Sequence, residues 1–181
     1  MRRALKMENK GLVHLYTGDG KGKTTAAVGL LVRAAGAGKR GLFCQFLKGQ
    51  DTAELESLKR LGVDVLRTDE VKQFFPFMKE EEKKACVKSH NMCYNKGKDL
   101  LLSGKYDMVV LDEVTHAAAL RLIPLDDLVE TIRNRPSGVE VVLTGRDAPE
   151  ELCKIADYLS DIRCLRHPYE KGIPARRGIE Y

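Results

Sequence analysis

The eight residues Gly18-Asp19-Gly20-Lys21-Gly22-Lys23-Thr24-Thr25 constrain this chain more than any other feature. They follow a short apolar run, Leu12–Tyr16, that reads as a buried strand. They open a stretch rich in Ala, Leu and Val, Lys23–Ala37, that reads as a helix closed by Gly36 and Gly38. Glycines at this density let the backbone turn so that several N–H groups point inward and an anion can come close. The helix N-terminus adds a partial positive charge there, and Lys23 adds a full one.

The rest of the chain repeats the alternation that this unit begins. Strands are predicted at Gly41–Phe46, Val63–Leu66, Tyr106–Leu111, Val139–Leu143 and Asp161–Leu165. Helices are predicted over Thr52–Leu61, Lys79–Ser103 with a break near Gly97, Leu125–Arg133 and Ala148–Tyr158. Such an order argues for a mainly parallel sheet flanked by helices on both faces. At 181 residues the length favours a single α/β domain. Residues 1–10 then form an N-terminal extension and 167–181 a loop tail.

The glycine-lysine loop in its strand–loop–helix setting is the P-loop mechanism for binding a nucleoside triphosphate. Gly18, Asp19, Gly20, Lys21, Gly22, Lys23, Thr24 and Thr25 would cradle the phosphates, and the Thr24 hydroxyl is placed to ligate Mg²⁺. Counted from Gly18 the loop is one residue short, Gly-x-x-x-Gly-Lys-Thr, because position 17 is threonine. A second motif completes the reading. Met108-Val109-Val110-Leu111-Asp112-Glu113 is an apolar strand ending in two carboxylates, at the strand end where such sheets bind ligands. Asp112 and Glu113 join Thr24 as candidate Mg²⁺ residues, against the simpler reading that they cap the next segment.

Composition narrows the class. The 31 Lys and Arg against 26 Asp and Glu leave a formal charge of +5, mild for a nucleic-acid binder and compatible with an anionic small molecule. No apolar run approaches bilayer-spanning length, and no secretory h-region follows Arg2, Arg3, Lys6 and Lys10. Five cysteines without a CxxC pair are expected to be reduced thiols in the cytoplasm. A nucleic-acid or membrane partner is not expected.

With these residues on the page, the chain resembles the P-loop type of corrinoid (cob(I)alamin) adenosyltransferases, the cob(I)yrinic acid a,c-diamide adenosyltransferase family. That family shares the shortened loop and, in RecA-like order, Arg33-Ala34-Ala35-Gly36, Gln45-Phe46-Leu47-Lys48-Gly49, Val110-Leu111-Asp112-Glu113 and Leu143-Thr144-Gly145-Arg146. Its C-terminal signature is similar to His167-Pro168-Tyr169-Glu170-Lys171-Gly172, Ala175 and Gly178-Ile179-Glu180-Tyr181. The resemblance implies transfer of the 5′-deoxyadenosyl group of ATP to the cobalt of a reduced corrinoid, with triphosphate leaving. It implies ATP contacts from Arg33, Gln45, Lys48 and Arg146, with catalytic work for Lys21 and Lys23. It also implies a homodimer and a flavoprotein reductant as partners. Phe75 and Phe77, in Phe74-Phe75-Pro76-Phe77, resemble the family's Phe-x-Trp corrinoid loop, although this chain has no tryptophan. Packing into the core or a subunit interface is the competing reading for those aromatics.

Two other readings of the loop stay open at this point: a small-molecule P-loop kinase, and a nucleotide-dependent regulator or nucleic-acid binder. Cys86, His90 and Cys93 fall at i, i+4 and i+7 and can share a helix face as metal ligands, but a mixed apolar face explains the same spacing better. His14 and His116 read as structural. The basic cluster Arg163, Arg166, His167, Lys171, Arg176 and Arg177 is expected to face phosphates, the corrinoid periphery or solvent.

Overall fold

In the computed structural model, residues 10–49, 52–68 and 75–181 are described. Six strands form one wholly parallel sheet: β1 (Val13–Thr17), β2 (Gly41–Gln45), β3 (Asp64–Arg67), β4 (Met108–Asp112), β5 (Glu140–Thr144) and β6 (Tyr158–Asp161). Their order across the sheet is β3-β2-β4-β5-β1-β6, so β5 lies between the loop-bearing β1 and the acid-bearing β4. Leu15 sits in register between Leu143 of β5 and Leu159 of β6. Parallel pairing requires crossovers, and helices supply them. These are α1 (Lys23–Gly36), α2 (Ala53–Arg60), α3 (Glu80–Leu102), α4 (Val114–Ala119), α5 (Leu125–Arg133) and α6 (Glu150–Ile155).

Side chains alternate across each strand, and the alternation sorts the core into two layers. Phe43, Val110 and Val142 turn to one face, where α1 supplies Ala27, Leu31 and Ala34 and α2 supplies Leu55 and Leu58. Leu42, Cys44, Val109, Leu111, Val141 and Leu143 turn to the other, against residues of α3, α4, α5 and α6. β2 and β4 are buried along their whole length. That is why they read as unbroken apolar runs in the sequence rather than as alternating ones.

Three features differ from the sequence reading. The helix α3 runs unbroken through Gly97. A Cβ there would stand 3.2 Å from Cys44 Sγ, so the glycine serves close packing of α3 on β2 rather than a break. The last strand is Tyr158–Asp161, not Asp161–Leu165, and α6 stops at Ile155 instead of running to Tyr158. β6 is an edge strand with all four residues exposed, so burial left no pattern to read. The short helix α4, six residues directly after Glu113, was not anticipated. Residues 1–9 of the expected N-terminal extension, and Phe74, lie outside the described residues.

Candidate active site

All strands end on the same side of the sheet, and the site lies there. The loop between β1 and α1 is held open by specific glycines. Gly22, the N-cap of α1, has φ +124°, a conformation in which a side chain is strained although no atom lies within 4 Å of its Cβ position. Gly20 meets a different constraint: a Cβ there would stand 2.7 Å from backbone atoms of Ile162 and Arg163. The chain after β6 therefore clamps the loop. Gly20 N–H donates to the Ile162 carbonyl at 2.7 Å, and Cys164 N–H donates to Asp19 Oδ1 at 2.9 Å. That backbone hydrogen bond holds the Asp19 carboxyl below its ordinary range.

The first turn of α1 is left free of competing acids. It carries no acidic residue and no side-chain cap, whereas α2, α3, α5 and α6 each begin with at least two carboxylates. Its uncapped N–H groups and dipole favour an anion. Lys23 is buried, and its ammonium donates to the carbonyls of Gly18 and Gly20, both at 2.7 Å. Two of its three protons are used, and burial lowers its pKa from the ordinary lysine value.

Across the cleft, Asp112 is fully buried at the end of β4. Its Oδ1 accepts from Thr24 Oγ1 at 2.8 Å and Thr144 Oγ1 at 2.7 Å. Its Oδ2 accepts from Lys48 Nζ at 3.1 Å and from Gln45 Nε2 at 3.3 Å. Glu113 follows in a left-handed conformation, φ +61°, with its N–H donating to Thr144 Oγ1 at 2.9 Å. It begins α4 but makes no side-chain cap, so capping does not explain it. Burial, and then Asp112, raise its carboxyl above the ordinary range against the opposing Lys48 and Lys23.

These residues surround a cavity of about 680 Å³, a size suited to a nucleotide. Asp19 through Thr25, Lys48, Glu113 and Arg146 line it. Asp112 does not; it stands behind Thr24 as the group that orients it. Gln45 is likewise buried, donating to Asp112 and to Glu54 at 3.4 Å, and does not reach the cavity. Arg33 is exposed on α1 and outside the lining. Phe75 packs on the larger core layer, while Phe77 is 80% exposed, and neither borders this cavity.

Three features of the site had no role assigned from the sequence. Glu54, a first-turn carboxylate of α2, lines the cavity 3.9 Å from Lys48 Nζ. Thr144 ties β5 to both acids. The tail closes one wall with Ile179, Glu180 and Tyr181, and Glu180 accepts from Lys21 Nζ at 2.8 Å. Lys21 is therefore engaged with the tail. Glu180 is held down at a pKa of about 2 by Arg176 and Lys21.

The other candidates resolve as structure. His90 Nε2 accepts from Leu47 N–H at 3.2 Å and its Nδ1 bonds the Cys86 carbonyl at 2.8 Å, leaving no ring nitrogen for a metal. His14 bonds Glu140 and stacks on Tyr158. Among the described residues no cluster of three or more His, Cys, Asp or Glu forms a metal cage, and no helix is long and apolar enough to cross a membrane. Cys44, Cys153 and Cys164 are free thiols.

Comparison with known proteins shows the family to which the chain is similar. Residues 9–181 match the family described as ATP:corrinoid adenosyltransferase BtuR/CobO/CobP. The corrinoid adenosyltransferase CobA of Salmonella typhimurium is 34% identical over 99% of this chain and 90% of its own. A corrinoid adenosyltransferase of Escherichia coli is 33% identical over the same shares. Among solved structures, a KaiC-like protein of Pyrococcus horikoshii aligns with a TM-score of 0.50 at 18% identity, over 85% of this chain and 72% of that one. This last likeness concerns the fold alone, and it agrees with the parallel α/β architecture expected from the sequence.

Proposed function

This chain belongs to the ATP:corrinoid adenosyltransferase family, and we propose that its single domain uses the cavity above the shortened loop to present C5′ of ATP to a reduced corrinoid. The reaction is ATP-dependent adenosyl transfer. The cobalt(I) electron pair forms the Co–C5′ bond, the C5′–O bond breaks, and the bonding pair leaves with triphosphate. Cobalt(I) is already a strong nucleophile, so no general base is needed. The protein's part is alignment and stabilisation of charge gathering on the leaving group.

The observation that carries the reading is the paired cations of the loop. Lys23 is poised on the loop carbonyls with one proton free, at an acid-free helix N-terminus. Lys21 and Arg146 line the same cavity. The residues also fit magnesium: Thr24 hydroxyl and Glu113 carboxylate are hard oxygen donors, with Asp112 behind them to orient Thr24, and Mg²⁺ binds through one or two carboxylates plus phosphates and water rather than in a full protein cage. When bound, the ion would neutralise charge on the triphosphate. Phe75 and Phe77 are proposed to meet the corrinoid, supported by the exposure of the Phe77 ring. A homodimer, a flavoprotein reductant and a cytoplasmic setting complete the proposal, the last supported by the free thiols of Cys44, Cys153 and Cys164.

Product analysis under anaerobic turnover tests it. Triphosphate should appear in step with adenosylated corrinoid, and Lys23→Ala should lower kcat/KM for ATP by about 10- to 100-fold, the loss of a charge-assisted hydrogen bond. Release of ADP instead, or an unimpaired Lys23→Ala, would remove the loop from the reaction.

A further inference from the structure

Lys48 follows β2 and lines the cavity, and its ammonium is turned toward Asp112 behind the cavity wall and Glu54 on it. It lies 3.1 Å from Thr24 Oγ1, 3.1 Å from Asp112 Oδ2 and 3.9 Å from Glu54 Oε1. A hydroxyl and two carboxylates converging on one point are the donors a hard divalent cation would take. Here a cation belonging to the chain itself fills that point.

The surroundings fix the backbone of Lys48, while its side chain is held only through the ammonium at its tip. Its carbonyl accepts from Arg67 Nε at 3.2 Å and Nη2 at 3.0 Å. The preceding Leu47 is held left-handed, φ +56°, with its N–H on His90. The lysine stem is flexible, its side chain 27% exposed, and it already borders the cavity where phosphates would lie.

We infer that Lys48 and a divalent cation are alternative occupants of one seat formed by Thr24, Asp112 and Glu54. Two cations held within about 4 Å of one another in a partly buried site repel too strongly to share it. In the nucleotide-free protein the ammonium satisfies the acids and bars the metal. A triphosphate brings enough negative charge to draw the ammonium into the cavity, so metal is admitted only together with nucleotide. The inference rests on the magnesium reading above, adds Asp112 and Glu54 to Thr24 and Glu113 as the oxygen groups that face the ion, and makes metal entry conditional.

Manganese(II) serves as the probe, with free ion counted by electron paramagnetic resonance. Without nucleotide, Lys48→Ala and Lys48→Met should bind Mn²⁺ at least about tenfold more tightly than the unaltered protein. With a saturating non-hydrolysable ATP analogue, the difference should shrink below about threefold. Arg146→Ala removes the same charge from the cavity lining without touching Asp112 or Thr24, and should change nucleotide-free affinity by less than about threefold. Unchanged Mn²⁺ affinity in both Lys48 variants, with thermal melts showing them folded, overturns the inference. So does an equal gain in Arg146→Ala, which would reveal only a general charge effect. If Mn²⁺ binds none of these proteins even with the analogue, the magnesium reading itself fails and takes the inference with it.

Discussion

Asp112 accepts hydrogen bonds from Thr24, Thr144, Lys48 and Gln45, and so links the loop, β5 and β2 through one buried carboxylate. Thr144 is the member whose removal reports on this arrangement most cleanly. Thr144→Val keeps the shape but takes away the donor to Asp112 and the acceptor for Glu113 N–H. It should cost about 1–3 kcal/mol in urea unfolding, with the midpoint falling and the slope unchanged. Glu113 behaves oppositely. Burial and Asp112 raise its pKa in the folded state, so it holds its proton more tightly folded than unfolded. Its contribution to stability is therefore full below the ordinary carboxylate range and lost as pH rises through the raised value. Glu113→Gln should melt higher than the unaltered protein at neutral pH without nucleotide, and the gap should close on acidification. A variant that melts lower, with a gap indifferent to pH, would contradict this. At this scale the sequence revealed Lys23, Thr24 and the acid pair, because spacing within a motif is local. It did not reveal Glu54 or the Lys21–Glu180 pair, where the partners lie on separate elements and no local pattern joins them.

The loop and the segment after β6 form one unit, and the glycines show it. Gly20→Ala drives a methyl into the Ile162–Arg163 backbone, whereas Gly22→Ala meets no neighbour and strains only its own torsion. Gly22→Ala should cost on the order of 1–3 kcal/mol and leave the tail in place. Gly20→Ala should instead loosen the segment after β6, seen as faster amide hydrogen exchange at position 20 and at Cys164, whose N–H groups bridge that segment and the loop. Equal exchange in both variants would mean the clamp is not sensed. Amphipathic and buried elements such as α5 and β2 were legible because burial writes itself into periodicity. β6 and α4 were not: an edge strand exposed throughout and a six-residue helix carry too little of it.

The molecule as a whole is a parallel sheet whose strand order sets β1 and β4 on either side of β5, so that loop and acids face each other across one strand's width. Alternation of elements in the sequence implied the parallel sheet; the order of strands within it depends on long-range pairing that no local pattern encodes. The same holds for Phe75 and Phe77, two positions apart in sequence but divided between core and solvent. The central claim is that C5′ of ATP becomes bonded to cobalt at this site. It is tested most directly by an anaerobic single turnover with ATP labelled at C5′ and chemically reduced cob(I)alamin. The label is expected on the corrinoid in one-to-one yield with triphosphate. Persistence of cob(I)alamin, with the label remaining in intact ATP or in ADP, would contradict it.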